Sequence, residues 1–424
     1  MTHGNFGRRT FLGTAAAASI ASRSVWSAAP SERLRVGVIG VRSRGHDLAR
    51  IFAGLKDEVE VVALCDADTN QLAKPAASVA MIAGNQPKLE QDFRKLLDDK
   101  SIDAIAIATP DHWHALMAVM ACQAGKDVYV EKPVSHNVVE GRRIVEAARK
   151  YNKIVQAGTQ RRSTPHVIDA IAHVHSGKIG HVGMARAWIH QVRPKIAPGK
   201  EAPIPEGVDF ALWQGPATDR PFMPSRFHYD WHWFWNWGTG ELGNNGIHGL
   251  DVARWGLGVE APTAITSGGG KFLLDDDREV PDTQLVTYEF PKAVIAWEHR
   301  MWSKHGTEGS GFGIAFYGDQ GTLLIDDKGW RVEDGEPASG KPTEGAIAHV
   351  KNFVDCVKSR KAPNAEVEIA HLSTRLCHLG NIAHRTGHKV RQFDPVTETF
   401  RDDPVANALL GREYGPRFEM PSTV

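Results

Sequence analysis

The sequence predicts an α/β protein with two domains, in which a doubly wound parallel sheet is followed by a large, mostly antiparallel open sheet. Three observations support this prediction. The chain has 424 residues, more than the roughly 100 to 200 residues of an average domain. Short apolar runs alternate with helical patterns up to about residue 160. From Gly180 onward the β-like segments become longer and glycine-rich connections join them, which fits an antiparallel sheet better than further βαβ units.

The composition excludes several classes of protein. Hydrophobic residues make up 42% of the chain and charged residues 24%, which is typical of a globular fold and not of a disordered or fibrous one. Fifty basic residues balance fifty acidic ones and no basic stripe is evident, so we expect no nucleic-acid partner. The cysteines Cys65, Cys122, Cys356 and Cys377 are too scattered for a disulfide framework or a zinc cluster, and we expect no metal site.

Residues 1–29 predict an export signal. Arg8 and Arg9 precede the Ala-rich stretch Gly13 to Ser22 and the small residues Ser27 to Ala29, which is the order of a twin-arginine signal. The alternative is a frayed N-terminal helix. The stretch is shorter than the ~20 apolar residues that span a bilayer, so we expect no stable membrane anchor. The prediction is a periplasmic protein whose partner during export is the twin-arginine machinery, which carries folded chains that can already hold a cofactor.

The next segment has the order of a dinucleotide-binding βαβ unit. The apolar run Leu34 to Ile39 predicts a buried strand, a helical pattern covers His46 to Leu55, and a second strand, Val59 to Cys65, ends at Asp66. In such a unit the glycine turn and the helix N-terminus bind the pyrophosphate, and the acid binds the adenosine ribose. The predicted cofactor residues in the turn are Gly40, Arg42, Ser43, Arg44 and Gly45.

Arg42 stands where the glycine pattern G-x-G-x-x-G has its middle glycine. Its side chain could crowd the pyrophosphate, or its guanidinium could contact a phosphate directly. On the glycine pattern alone, an ordinary strand-to-helix turn is an equal alternative. Asp66, with Asp68 nearby, would repel a 2′-phosphate, so the sequence favours NAD over NADP as the cofactor.

Strands and helices continue to alternate as a doubly wound sheet requires. The predicted strands are Ala104 to Ala108, Asp127 to Val130 and Ile154 to Gln156, and the predicted helices are Trp113 to Ala124 and Val138 to Tyr151. Ligands bind beyond the carboxyl ends of the strands in such sheets. The candidate cofactor residues at those ends are Thr109, Pro110, His112, His114, Glu131, Lys132 and Gln160.

These strand-end clusters resemble those of the glucose-fructose oxidoreductase, inositol dehydrogenase and MocA family. Thr109-Pro110 with His112 and His114 is similar to the family segment beside the nicotinamide, and Glu131-Lys132-Pro133 is similar to its lysine motif. The resemblance continues into Gly240 to Asp251. It implies a nucleotide domain over residues 30–160 and an α/β domain for substrate binding and oligomerisation over residues 161–424.

Lys132 is the first candidate catalytic residue. An ammonium at this strand end, where a substrate hydroxyl would meet the nicotinamide, can polarise the oxygen and relay its proton. Burial and nearby positive charge would have to lower the lysine pKa from its usual value of about 10.4. The alternative is a solvated residue at a strand end. The Lys132–Pro133 bond is also a candidate for a cis peptide.

His248 is the second candidate. His248 and Asp251 share one face of a helix that begins near Gly246. In the resembled family an acid four residues before the histidine orients it, but Asn244 stands there in this chain. Asn244 can bind an imidazole without stabilising its charged form, so either His248 is a weaker base or Asp251 supplies the carboxylate. The alternative is a core or capping histidine.

An aromatic run, Phe227 to Trp237, precedes that helix and has tryptophan at every second position from Trp231. In an extended chain these rings would point to one side, where they would suit the CH-rich faces of a sugar. They could instead pack under a loop or form a subunit interface. The predicted substrate-binding residues are Arg161, Tyr229, Trp231, Trp233, His248 and Asp251.

The residues and the resemblance together predict an exported, NAD-dependent oxidoreductase that acts on a hydroxyl of a sugar, cyclitol or glycoside. We expect a tightly held cofactor, because free NAD is scarce outside the cytoplasm. One alternative is a redox-neutral NAD-dependent glycosidase or lyase. Another is a non-catalytic sugar-binding protein on a dehydrogenase frame, an alternative that Arg42 and Asn244 keep open. An open sheet face further predicts a homo-oligomer, either a dimer or a tetramer.

Overall fold

The computed structural model describes residues 33–387 and 391–424. The predicted twin-arginine signal lies outside these residues. The first half of the described chain forms a parallel sheet of six strands in the order β3-β2-β1-β4-β5-β6. The strands are β1 (Leu34–Ile39), β2 (Val59–Cys65), β3 (Lys88–Glu90), β4 (Ala104–Ile107), β5 (Asp127–Val130) and β6 (Val155–Ala157). Strands β4 and β5 are buried throughout, as a sheet covered on both faces requires. The predicted doubly wound sheet is therefore confirmed.

Helices on both faces connect these strands. They are α1 (Arg44–Gly54), α2 (Ala73–Ala83), α3 (Arg94–Asp98), α4 (Asp111–Gln123) and α5 (Val138–Lys150). Helix α1 begins at Arg44 and not at His46, and α4 begins at Asp111 and not at Trp113. Because the first N–H groups of a helix have no partner within it, the earlier start of α1 brings unpaired N–H groups closer to the end of β1. At the start of α4 the His112 N–H donates to the carbonyl oxygen of Trp237, at 3.2 Å.

The second half contains a sheet of ten strands in the order β14-β13-β12-β11-β7-β10-β9-β8-β15-β16. The strands are β7 (Val182–His190), β8 (Ala264–Gly270), β9 (Thr283–Phe290), β10 (Ala293–Arg300), β11 (Phe312–Gly318), β12 (Gly321–Asp326), β13 (Gly329–Val332), β14 (Ser339–Gly340), β15 (Arg391–Asp394) and β16 (Thr399–Phe400). Within the described residues, β7 and β10 pair in parallel and the other neighbours pair antiparallel. The predicted mostly antiparallel sheet is confirmed.

Six α-helices belong to this half of the described residues: α6 (Pro165–His175), α7 (Phe210–Gln214), α8 (Ile247–Leu257), α9 (Ala346–Ser359), α10 (Val367–Arg385) and α11 (Pro404–Asn407). Helices α8 and α10 cover one face of the ten-stranded sheet, where Leu250 and Leu376 share a core with Trp297. Helix α9 returns to the first sheet, and its Phe353 ring lies 6.3 Å from the ring of Phe52. The two halves therefore interlock.

Three further properties concern the described residues only. Their helices include none that is both long enough and apolar enough to cross a membrane. All four cysteines are buried, and none forms a disulfide. No group of His, Cys, Asp and Glu side chains in the described part of the chain is arranged to hold a metal ion.

Candidate functional site

A cavity of about 320 Å³ lies beyond the carboxyl ends of β1, β2, β4 and β5. Most of the predicted cofactor residues line it: Gly40, Arg42, Ser43, Arg44, Asp66, Thr109, Pro110, His114, Glu131, Lys132 and Gln160. We call these residues the sheet wall. The facing residues lie on a segment that we call the cover segment, residues 205–237, and we call them the cover wall: Leu212, Trp213, His228, Tyr229, Trp231 and His232. Asn244 and Asp111 also line the cavity.

Two glycines shape the turn after β1. Gly40 has a φ of 79°, and a Cβ there would lie 2.7 Å from the backbone of Ala108. A Cβ on Gly45 would lie 1.7 Å from the carbonyl oxygen of Gly40, so only glycine allows this approach. Gly45 does not itself line the cavity. Its role is to let the start of α1 pack against the turn. Ser43, at the N-cap of α1, makes no capping hydrogen bond, so the first N–H groups of α1 remain available to an anion.

Asp66 is placed to bind a ribose. Its carboxylate accepts hydrogen bonds from the backbone N–H groups of Val41 (2.8 Å) and Asp68 (3.0 Å). Burial raises the pKa of this carboxyl to about 6. Each oxygen keeps a lone pair for a ribose hydroxyl. Asp68 has a different role, because it is buried and lies 3.1 Å from Nε2 of His228 on the cover segment.

The middle of the sheet wall carries an ion pair with spare hydrogen-bonding capacity. Arg44 Nε lies 2.7 Å from Glu131 Oε1. Although burial opposes it, the charges of Arg44 and Lys132 hold the pKa of Glu131 below its usual value. Nη2 of Arg44 and Oγ1 of Thr109 are buried without a hydrogen-bond partner. Since both residues line the cavity, a ligand can satisfy these atoms. The glycine turn, Asp66 and these unpaired atoms fit a dinucleotide.

Lys132 lies at the other end of the sheet wall, and its peptide bond to Pro133 is cis. Its Nζ donates hydrogen bonds to the backbone oxygen and to Oδ1 of Asn244, at 2.8 and 3.1 Å. Burial lowers the pKa of Lys132, and the carboxylates of Glu131 and Asp111 oppose that shift. A lowered pKa is what a lysine needs in order to take part in proton transfer at neutral pH. Asn244 therefore orients the lysine.

Asp111 is a functional residue that the sequence analysis missed. It is a buried carboxylate at the start of α4 and accepts a hydrogen bond of 2.6 Å from Thr239 Oγ1. The two ring nitrogens of His114 lie 2.6 and 2.8 Å from the carbonyl oxygens of Pro133 and Thr109. These contacts hold the ring between the segments that follow β4 and β5. Burial raises the pKa of Asp111, and the hydrogen bond from Thr239 and the charge of Lys132 oppose that shift. An acid in the first turn after a strand end is the signal that could have identified it.

The structure contradicts the predicted role of Asp251 as the carboxylate that orients His248 or binds substrate. His248 lies in the first turn of α8, and its Nδ1 is buried without a hydrogen-bond partner. Burial, together with the charge of Lys132, lowers the pKa of His248 well below its usual value. Asp251 is not available to orient it or to bind substrate, because its buried carboxylate accepts hydrogen bonds from Arg162 and Ser373. His248 is half-buried and does not line the cavity, although Asn244, four residues before it, does.

Three other predicted residues also lie away from the lining. His112 is buried, with Nε2 2.9 Å from the carbonyl oxygen of Trp213. Its side chain does not point the same way as that of His114, because residues two apart on a helix do not lie on the same face. The Arg161 guanidinium lies 4.1 Å from the centre of the Phe312 ring. The third, Trp233, is buried in an aromatic core.

The aromatic run is not extended. His228–Trp233 forms a 3₁₀ helix, so alternate rings do not share one face. Trp233 and Trp237 pack into the core of the cover segment, whereas Tyr229 and Trp231 line the cavity. The expectation of one aromatic face is therefore wrong, because the packing of the cover segment overrides the alternating pattern.

Backbone contacts tie the cover segment to the end of β2. Thr69 N–H donates to the Gly207 oxygen at 2.9 Å, and Asp209 N–H donates to the Ala67 oxygen at 2.8 Å. His228 adds its contact with Asp68. The sequence predicts no role in the site for Leu212 or Trp213, because their positions depend on contacts between residues far apart in the chain.

Three family models match the chain. The NAD-binding Rossmann fold of the GFO/IDH/MocA oxidoreductase family matches residues 34–159. The GFO/IDH/MocA C-terminal domain matches residues 216–324, and the C-terminal alpha/beta domain of the oxidoreductase family matches residues 342–420.

Curated relatives share 25 to 35% identity with parts of the chain. Inositol 2-dehydrogenase 1 of Saccharopolyspora erythraea is 35% identical over 148 residues, which are 35% of this chain and 43% of that protein. A glycosyl hydrolase family 109 protein of Shewanella pealeana is 32% identical over 38% of this chain and 36% of its own length. The scyllo-inositol 2-dehydrogenase (NAD(+)) of Bacillus subtilis is 25% identical over 78% of this chain and 88% of its own length. The chain spans about half the length of the first of these relatives.

Solved structures share the fold. Aldose-aldose oxidoreductase from Caulobacter crescentus, complexed with glycerol, matches with a TM-score of 0.67 and 17% identity, over 85% of this chain and all of that one. The WlbA dehydrogenase from Bordetella pertussis, in complex with NADH and UDP-GlcNAcA, has a TM-score of 0.65 and 18% identity, over 86% of this chain and 99% of that one.

Proposed function

This chain belongs to the GFO/IDH/MocA oxidoreductase family, and we propose that it is an NAD-dependent oxidoreductase acting on a hydroxyl of a sugar, cyclitol or glycoside. One observation carries the proposal: Asp66 and Lys132 line the same cavity, one suited to a ribose and the other to a reacting hydroxyl. The relatives named inositol dehydrogenases support the substrate class.

The sheet wall would hold the cofactor. Asp66 accepts hydrogen bonds from the adenosine ribose, and the N–H groups at the start of α1 bind the pyrophosphate together with Arg44. The negative charges of Asp66 and Asp68 oppose a 2′-phosphate, which favours NAD over NADP. Bound NAD supplies a hydride acceptor for the carbinol carbon of the substrate.

Lys132 would handle the hydroxyl proton. Asn244 fixes Nζ with two oxygens that carry no full charge, so the lysine is oriented without a direct ion pair. The lowered pKa of Lys132 lets its neutral form accept a proton. The buried carboxylate of Asp111 stabilises the lysine once it is charged. His248 would be a neutral imidazole near neutral pH, because burial and the charge of Lys132 lower its pKa well below the usual value.

We also propose that the cofactor is held tightly. The support is the cover segment, which two backbone hydrogen bonds and the His228–Asp68 contact join to the adenosine end of the sheet wall. A tightly held cofactor is consistent with folding and loading before export by the twin-arginine machinery to the periplasm. Replacing Arg8 and Arg9 with lysine tests the export proposal: the expected result is retention in the cytoplasm, and unchanged export would contradict it.

We further propose a homo-oligomer, a dimer or tetramer, formed through the sheet face that α8 and α10 leave uncovered. On β9 this face carries Leu285, whose side chain is 49% exposed. Light scattering of Leu285→Glu tests the proposal, with a smaller assembly as the expected result. An unchanged mass would contradict it.

A second candidate is a redox-neutral, NAD-dependent glycosidase or lyase, supported by the relatives named glycosyl hydrolase family 109 proteins. Release of a leaving sugar without net NADH would favour it. Accumulation of NADH with an added sugar would favour the oxidoreductase.

The proposed function is tested on the purified full chain. Mass spectrometry of released nucleotide should identify NAD, and NADH absorbance should rise with at least one of myo-inositol, D-glucose, D-xylose, D-glucuronate or methyl glucoside. Protein that neither contains nor binds NAD would contradict the proposal. Protein that binds NAD, but neither forms NADH nor releases a leaving sugar with any sugar of the panel, would favour a non-catalytic sugar-binding role.

A further inference from the structure

We propose that His232 is a further substrate contact, a neutral imidazole whose Nε2 accepts a hydrogen bond from a second hydroxyl of the substrate. This inference rests on the proposed function. It assigns a specificity-determining role to a residue outside the pair of Lys132 and His248, and it requires a substrate with at least two hydroxyls in reach of the cavity.

His232 lies inside the candidate site. It belongs to the 3₁₀ helix His228–Trp233 and lines the same cavity as Lys132 and Asn244. It reaches the cavity from the cover segment, whereas Lys132 reaches it from the end of β5. A polyol held between these two walls would meet a hydrogen-bond donor on one side and His232 on the other.

The contacts of His232 define its tautomer. Its Nδ1 lies 2.5 Å from the carbonyl oxygen of Tyr229. A carbonyl oxygen only accepts hydrogen bonds, so Nδ1 carries the hydrogen and donates it. In the neutral ring Nε2 is then an acceptor. No hydrogen bond to Nε2 of His232 is found among residues 33–387 and 391–424, so this lone pair is available to a ligand.

A chain of contacts fixes the ring. The His232 ring stacks on Trp231, with ring centres 3.6 Å apart and planes at 18°. Tyr229, which accepts its hydrogen bond, receives a hydrogen bond of 2.8 Å at its hydroxyl from Arg193. Arg193 is in turn 3.1 Å from the buried carboxylate of Glu241. Such support restricts the imidazole to one orientation, which is what directional recognition of a hydroxyl needs.

The electrostatic environment keeps His232 neutral. Burial lowers the pKa of His232 to about 3, the hydrogen bond to Tyr229 opposes this, and the charges of Lys132 and Arg193 add to the lowering. The imidazolium is therefore not populated near neutral pH. His232 acts as a hydrogen-bond acceptor throughout, and it does not exchange protons with the substrate during turnover.

The test compares His232→Phe, His232→Gln and a surface control, His181→Phe, on whichever sugar of the panel above the wild type oxidises. Phenylalanine keeps the stacking on Trp231 and removes the acceptor, so KM should rise about tenfold, the upper range for one neutral hydrogen bond. The value of kcat should stay within about threefold, because the contact is uniform between ground and transition states. Glutamine places an acceptor near Nε2 and should restore most of the loss.

Three results would overturn the role of His232 as a hydrogen-bond acceptor for substrate. An unchanged KM in His232→Phe would overturn the inference, as would a fall in kcat with loss of the acidic limb of the pH profile, which would indicate a proton-transfer role. If His232→Phe does not bind NADH, wild-type enzyme is tested on deoxy analogues of the same sugar: at least one must show the raised KM, and none doing so overturns the inference. If the wild type oxidises no sugar, the proposed function fails and the inference with it.

Discussion

The two walls of the cavity differ in chemistry. The sheet wall carries charged groups on short turns after strands: Asp66, the Arg44–Glu131 pair and Lys132. The cover wall carries aromatic rings and neutral imidazoles on a segment held by long-range contacts. This difference indicates a division of labour, in which the sheet wall binds the cofactor and moves protons while the cover wall retains the cofactor and selects the substrate.

Lys132→Met breaks the chemistry of the sheet wall and should have the largest effect. We expect kcat to fall by about a hundredfold to ten-thousandfold, the range for loss of a proton-transfer group. NADH affinity should change by less than about threefold, because the lysine end of the cavity is distinct from Asp66. Steady-state kinetics and NADH fluorescence measure both quantities. Lys178→Met, at an exposed lysine, is the control, and near wild-type turnover in Lys132→Met would contradict the assignment.

Gly45→Ala tests the geometry that presents the sheet wall. A Cβ would lie 1.7 Å from the Gly40 oxygen, so we expect a loss of about 3 kcal/mol in the free energy of unfolding, from overpacking. Gly54→Ala in the same helix is the matched control, since a Cβ there meets nothing within 4 Å. Urea unfolding separates the two. Equal stability for both variants would show that the close approach is not required.

Asp66 should make cofactor affinity pH-dependent. Burial raises its pKa to about 6, and ribose hydroxyls would donate to the charged form. Binding therefore favours the carboxylate, so NADH affinity should be highest above pH 6 and fall as the pH drops through that value. Asp66→Asn should lower affinity about tenfold at neutral pH and remove this dependence. Titrations across pH provide the check, and an identical profile in both proteins would argue against ribose binding by Asp66.

His228→Asn tests cofactor retention by the cover wall and should give the smallest effect. Asparagine tolerates the positive φ of 53° at this position but is too short for the contact with Asp68. We expect NADH release to accelerate about fivefold, as for the loss of one ordinary hydrogen bond of about 1 kcal/mol, with no change in the KM for sugar. Stopped-flow displacement of NADH measures the rate. A changed sugar KM with unchanged release would reverse the assignment of roles along this wall.

The difference between the sheet wall and the cover wall also explains which parts of the site the sequence predicts. The sheet wall follows from local patterns, since a glycine turn, an acid after β2 and a lysine after β5 must meet at the carboxyl ends of parallel strands. The cover wall has no such rule. The tryptophan alternation suggested an extended chain, but the segment forms a 3₁₀ helix. Asp251 shares a helix face with His248, yet Arg162 and Ser373 bind it.

The central claim is that a nicotinamide ring lies in this cavity with a substrate carbinol beside Lys132. The most direct test uses a sugar that the enzyme oxidises, supplied with deuterium on its reacting carbon. The nucleotide is recovered from the protein after turnover and analysed by mass spectrometry. The account predicts deuterium on the nicotinamide with the wild type and far slower labelling with Lys132→Met. Turnover of the sugar with no deuterium in the nucleotide would contradict it.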